Sequence, residues 1–225
     1  MVNVHENVLQ FEKELNESLE KAHRERSSVE VIAVTKNVSA ELTKAILQEG
    51  FHQLAENRPE GLIQKQEIMS KEKITWHFIG NLQTRKVKSV INQIDFLHSL
   101  DRLSLAKEIE KRAETVISCF LQVNVSGEMS KSGIKPDEIE EFIQKLADYP
   151  KIKIIGLMTM APLTDDKTRI RHIFATLKDY QQKIAEKALS YAPCTELSMG
   201  MSGDFQIAVE EGATFIRVGT TLFKE

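Results

Sequence analysis

Eight short apolar runs recur along this chain, nearly every one followed by a longer stretch with helical spacing, and that alternation restricts the fold more than any other feature. The runs cover residues 31–36, 52–55, 75–79, 96–99, 118–125, 152–160, 196–199 and 214–219. Helices are predicted at about 40–49, 59–71, 83–93, 101–114, 136–148, 166–190 and 203–211. A strand covered on both faces reads as a continuous apolar run, as in Val31-Ile32-Ala33-Val34. Eight such units within about 190 residues predict an α/β fold, a single closed (β/α)₈ barrel of TIM type. A doubly wound open sheet shares the local signature and is the second choice.

Ahead of the first run, Val4, Val8, Phe11, Leu15, Leu19 and Ala22 recur at three- and four-residue steps. They predict an extra amphipathic helix within residues 1–26 that packs over the barrel. No Gly/Ser-rich or low-complexity linker interrupts the sequence, so residues 1–225 are expected to form one domain. Ser39, Asp101 and Thr164 are expected helix caps, and Pro136 is expected to open a helix.

Composition mainly excludes. The 41% hydrophobic and 28% charged residues are ordinary for a globular protein. A net charge of −3 and an isoelectric point of about 6.1 leave no global bias toward nucleic acid or an anionic membrane. Cys119 and Cys194 lack metal-ligand or disulfide spacing, which fits a reducing compartment. With no apolar block at the start and no run of about 20 apolar residues, the expectation is a cytoplasmic protein that neither crosses nor binds a membrane.

A barrel directs attention to the carboxyl ends of its strands, where barrel chemistry takes place. Lys36 closes the first run. A lysine there is expected to be shielded by apolar walls yet reachable, a setting in which an amine attacks carbonyls and holds a Schiff base. Two later ends suit a phosphate. Ser198-Met199-Gly200-Met201-Ser202-Gly203-Asp204 combines two glycines with two serines before a helix, and Arg217-Val218-Gly219-Thr220-Thr221 follows on the last strand. Backbone N–H groups and hydroxyls in such loops cradle anions, and barrels often place a phosphate after their last two strands. Arg217 shares a strand face with Phe215 and Gly219, so an inward Arg217 would line the same site. His77, inside an apolar run, reads first as a hydrogen-bonded core residue. A reactive lysine, a phosphate cradle and an arginine on one rim suggest a ligand with an aldehyde and a phosphate. Pyridoxal 5′-phosphate (PLP) fits, and so does a phosphosugar held as a Schiff base.

These residues also carry a resemblance. Val34-Thr35-Lys36, Ala55-Glu56-Asn57, His77-Phe78-Ile79-Gly80-Asn81-Leu82-Gln83, Val123-Asn124-Val125, Lys131-Ser132-Gly133, Gly156-Leu157-Met158-Thr159-Met160, Leu197-Ser198-Met199-Gly200-Met201-Ser202 and Arg217-Val218-Gly219-Thr220 follow one another as in the pyridoxal phosphate homeostasis proteins of the YggS/PROSC type. The likeness runs from about residue 29 to the last residue. It implies a barrel similar to the N-terminal domain of alanine racemase, the fold type III class of PLP proteins. It further implies PLP on Lys36, phosphate contacts from Ser202, Gly219 and Thr220, and a ring-nitrogen contact from Arg217. Asn57, His77, Met158, Ser198 and Met199 would complete the pocket. Two departures stand out: Ala55-Glu56-Asn57 where relatives often have Gly-Glu-Asn, and Phe223-Lys224-Glu225 where Phe-Gly is usual. Neither touches the lysine, the phosphate loops or Arg217.

Members of that family are described as buffering and delivering PLP, with effects on amino-acid and keto-acid metabolism. The residues favour the same role over an enzyme. Racemisation needs two bases, one for each face of the carbanion. The sequence ends about where the barrel ends, and Tyr149, Tyr180 and Tyr191 fall on helices or helix ends, so the second base is expected to be missing. Arginine is a permanent donor that cannot accept the ring proton, which leaves the ring a weaker electron sink. The expectation is a monomeric PLP carrier whose partners are PLP and the apo-enzymes that require it. A weak amino-acid racemase with His77 as base is the alternative, and a Schiff-base phosphosugar enzyme the second.

Overall fold

The computed structural model describes residues 2–128 and 131–225. Eight parallel strands close into a barrel in chain order: β1 (Glu30–Val34), β2 (Gln53–Glu56), β3 (Thr75–Phe78), β4 (Phe96–Leu100), β5 (Ile117–Gln122), β6 (Ile152–Met158), β7 (Glu196–Met201) and β8 (Phe215–Val218). Closure is direct, with Val31 opposite Ile216 and Ala33 opposite Val218. The barrel of the sequence reading is therefore present and the open sheet is not.

Side chains alternate along each strand, which divides the apolar residues into two cores. Ile32, Val34, Ala55, Phe120, Met158 and Phe215 fill the barrel interior. Val31, Ala33, Leu54, Leu97, Leu121 and Leu197 face outward into a larger core beneath the helices. Burial on both faces is why β1 reads as an uninterrupted apolar run.

The helices are α1 (Val4–Lys21), α2 (Ala40–Gln48), α3 (Pro59–Ile68), α4 (Leu103–Arg112), α5 (Ile139–Leu146), α6 (Lys167–Ala185), α7 (Phe205–Glu210) and α8 (Thr220–Phe223). The leading helix α1 buries Val4, Val8, Phe11, Leu15 and Leu19, the residues its periodicity singles out. Its Phe11 ring packs 5.2 Å from Phe205 and 6.3 Å from Phe51. Asn7 donates to the carbonyls of Leu222 and Lys224, tying α1 to the last helix.

Several local expectations change. Residues 84–89 and 91–93 form two 3₁₀ turns in place of one α-helix. Val87 and Val90 are three apart and fully buried, matching a three-residue turn, and the adjacent β-branched pair Val90-Ile91 disfavours an α-helix. Ser39 caps α2 as expected, accepting from the Leu42 N–H at 3.3 Å. Asp101 instead pairs with Arg102, and Asp166, not Thr164, caps α6. Pro136 opens a short 3₁₀ turn that leads into α5. Helix α8 is a single turn after Gly219, too short to leave a helical spacing in the sequence.

Cys119 and Cys194 are buried and unpaired, and burial raises both thiols, Cys194 to about 12. Among the described residues, no helix is long and apolar enough to cross a membrane.

Candidate functional site

A cavity of about 560 Å³ opens at the carboxyl ends of the strands. Lys36, Asn57, Met158, Ser202, Arg217, Gly219 and Thr220 all line it, so residues far apart in sequence converge on one space. Val34, Ile79, Met160 and Phe223 contribute apolar wall.

Lys36 stands two residues beyond β1 on a tight turn, and it is exposed. Apolar walls border its cavity but do not bury it, because the strand ends at Val34 and the side chain leaves from the turn beyond. What the fold supplies instead is a rigid base. Thr35 is fully buried; its N–H donates to the Ala55 carbonyl at 3.0 Å and its hydroxyl to Glu56 Oε1 at 2.7 Å. Buried Lys65 of α3 donates to the same carboxylate oxygen at 2.5 Å and to the carbonyl of Thr35. Asn37 adopts φ +61°, a left-handed conformation asparagine tolerates well, and Val38 N–H returns to the Thr35 carbonyl at 2.9 Å.

The glycine-rich side of the cavity begins with a bulge. Ser198 lies opposite Phe215 and Met201 opposite Arg217, so β7 takes three steps where β8 takes two. Gly200 absorbs the extra residue at φ +93°; a Cβ there would come within 2.5 Å of the Ala208 Cβ. The chain then turns so that Ser202 meets the end of β8. Ser202 Oγ accepts from the N–H groups of Gly219 and Thr221, each at 3.2 Å. With both lone pairs engaged, its hydroxyl hydrogen is left to donate to an anion. Met201 N–H donates to Asp204 Oδ1 at 2.6 Å, which holds the loop closed. Burial raises the Asp204 carboxyl, with the Met201 N–H and Arg217 acting against it.

Arg217 is 4% exposed and forms the cavity floor. Nη1 donates to Ser198 Oγ at 2.5 Å and Nη2 to the Thr159 carbonyl at 3.0 Å. Burial lowers its pKa to about 10, with Asp204 opposing, so the guanidinium keeps its charge at neutral pH. The inward orientation follows from sharing a strand face with Phe215, which lies in the barrel interior.

Three of the residues assigned to the pocket do not line it. His77 and Ser198 are fully buried in the barrel beneath the floor, because β3 and β7 carry them below the rim. Met199, one residue on from Ser198, faces the opposite way into the core under the helices. His77 is stacked on Phe96 at 4.6 Å, and burial lowers its pKa to about 3.

Sequence reasoning missed Lys65 and His98. Pro59, Leu62 and Lys65 are buried at three-residue intervals on α3, a spacing that marks Lys65 as inward-facing. His98 follows Phe96 by two residues and so shares its inward face.

Residues 13–225 match the family described as "Alanine racemase, N-terminal domain". The pyridoxal phosphate homeostasis protein of Aquifex aeolicus is 34% identical over 100% of this chain and 99% of its own length. PipY of Synechococcus elongatus, solved with PLP bound, is 30% identical with a TM-score of 0.86, covering 98% of this chain and all of PipY. An alanine racemase of Clostridium difficile matches 94% of this chain and 55% of its own at TM-score 0.74; at 16% identity that likeness is one of fold. This chain belongs to the family of the pyridoxal phosphate homeostasis proteins, which share the barrel of the alanine racemase N-terminal domain.

Proposed function

We propose that the chain binds PLP in the cavity at the carboxyl ends of its strands and serves PLP storage and delivery. One observation carries the reading: an exposed primary amine, a hydroxyl with its proton left to donate and a buried guanidinium meet in a single cavity of about 560 Å³. The volume suits a small cofactor, and the polar groups are few and placed on separate walls. PLP, when bound, supplies an aldehyde that condenses with a primary amine. Lys36 is the exposed amine for that bond. Ser202 would donate its hydroxyl to the phosphate, beside Thr220 and at Gly219, where the missing side chain lets the phosphate approach. Arg217 would donate to the ring nitrogen, while Asn57 and Met158 border the ring.

Storage is favoured over turnover by what surrounds the amine. None of the three tyrosines lines the cavity: Tyr180 is on α6, and Tyr149 and Tyr191 lie in loops leading into β6 and β7, at the other end of the barrel. His77 is buried below the floor and hydrogen-bonded at both ring nitrogens, so it offers no base to a substrate in the cavity. Arg217 keeps the ring nitrogen facing a donor. The Aquifex aeolicus relative is called a homeostasis protein. The amine, the anion donors and the cation all come from one chain, so a monomer suffices. Its proposed recipients are apo-enzymes that require PLP, met in the cytoplasm, where two unpaired buried cysteines are at home.

Purified protein incubated with PLP is expected to turn yellow, and borohydride should bleach it and fix the cofactor mass on the Lys36 peptide. Lys36→Ala should fold normally and lose that label. A colourless protein without a mass shift would overturn PLP binding. Turnover of a D- or L-amino acid that survives dialysis and disappears in Lys36→Ala would overturn the carrier role.

A further inference from the structure

A continuous hydrogen-bond chain runs through the barrel core beneath Arg217. Ser198 Oγ, which accepts from Arg217, lies 2.8 Å from His98 Nδ1. His98 Nε2 lies 2.9 Å from His77 Nδ1, and His77 Nε2 lies 2.7 Å from Gln53 Oε1. The chain thus links β8, β7, β4, β3 and β2, from the cavity floor toward the opposite end of the barrel. Ser198 and both histidines are fully buried.

The tautomers follow from the two ends of this network. Arginine can only donate. At the far end, the Gln53 amide nitrogen faces Glu30 Oε2 at 3.5 Å, which turns its oxygen toward His77. His77 therefore donates from Nε2 and accepts at Nδ1. His98 donates from Nε2 to His77 and accepts at Nδ1 from the Ser198 hydroxyl. Each link donates toward Gln53, and the Ser198 proton is committed to His98. Both histidines are held neutral by burial, as the scheme requires.

We propose that His98, backed by His77 and Gln53, is a positioning residue: it commits the Ser198 hydroxyl, leaves Ser198 Oγ an acceptor for Arg217, and so aims the remaining Arg217 N–H groups at the cavity. The inference rests on the reading that Arg217 meets the PLP ring nitrogen. Without an acceptor at His98 Nδ1, the Ser198 hydroxyl turns freely and competes with Arg217 rather than holding it. Stacking of His98 on Phe120 at 4.4 Å fixes the ring plane that makes this geometry possible.

The test uses the full chain in three variants. His98→Leu removes the acceptor; His98→Asn keeps a carbonyl oxygen close to the Nδ1 position; Ser198→Ala removes only the hydroxyl, should His98→Leu not fold. His98→Leu and Ser198→Ala are expected to retain PLP about tenfold more weakly and to shift the absorbance maximum of the bound cofactor. His98→Asn should restore most of both. In the wild-type protein without PLP, nitrogen NMR should show both rings as neutral Nε2–H tautomers. Wild-type affinity and spectrum in folded His98→Leu or Ser198→Ala, or an Nδ1–H tautomer at either ring, would overturn the positioning chain while leaving PLP binding intact. Failure of the wild type itself to take up PLP overturns the underlying reading instead, so the two failures are distinguishable.

Discussion

The ammonium of Lys65 lies 2.5 Å from Glu56 Oε1, and the pair is almost completely buried one layer beneath the turn that carries Lys36. Both side chains also engage Thr35, Lys65 through its carbonyl and Glu56 through its hydroxyl. The residue before Lys36 is thus held from both sides by a charge pair. An exposed amine gains a fixed origin without being buried itself.

Breaking this pair from one side should be costly, because the partner is left charged in the core. Lys65→Met is expected to lower unfolding free energy by about 3 kcal/mol in urea titrations, and the Glu56→Gln/Lys65→Met double variant by less. A double variant as unstable as the sum of the two single variants would show that the groups do not act as a pair.

Ser202→Ala should weaken PLP retention about five- to tenfold while borohydride still fixes the cofactor on Lys36, since the hydroxyl and the amine serve different ends of the ligand. Equilibrium dialysis gives the affinity and peptide mass the attachment site. Unchanged affinity would remove Ser202 from the phosphate site.

The two core histidines should make the fold acid-sensitive. Histidine titrates near 6.5 when unfolded, and His77 near 3 when folded, because burial disfavours its charged form. Between those values the unfolded state binds more protons. The stability contribution is therefore complete above about pH 6.5 and is lost as the pH falls toward 3, by up to about 1.4 kcal/mol per pH unit for each histidine. Urea midpoints from about pH 7 to about pH 5 should fall more steeply in the wild type than in His77→Gln. Parallel profiles would count against a neutral buried His77.

Phe11 anchors α1 between Phe51 and Phe205 and is fully buried. Phe11→Ala should cost about 3–5 kcal/mol through lost burial and the cavity left behind. A loss below about 1 kcal/mol would mean that α1 is a loosely held cover and not part of the core.

The barrel was readable from residue order because its main signals are local. Apolar runs, helical spacing and strand-end glycines each lie within a few consecutive residues, and barrel chemistry is confined to strand ends. Lys36, Ser202, Arg217, Gly219 and Thr220 were found on that logic. Side-chain alternation placed Arg217 inward through Phe215 and Gly219, and it separates Met199 from Ser198.

Depth and partnership were settled only by the closed barrel. His77 pairs with His98 across 21 residues, and His98 with Ser198 across 100, so no local pattern could reveal the chain they form. The setting of Lys36 depended likewise on Lys65 reaching back 30 residues to the Thr35 carbonyl. Sequence by itself determined which strand ends build the site, since apolar runs and the glycine-rich loops after them are local signals. Tertiary structure decided which side chains face the cavity and which lie beneath it, because burial and hydrogen bonding depend on neighbours that only barrel closure brings together.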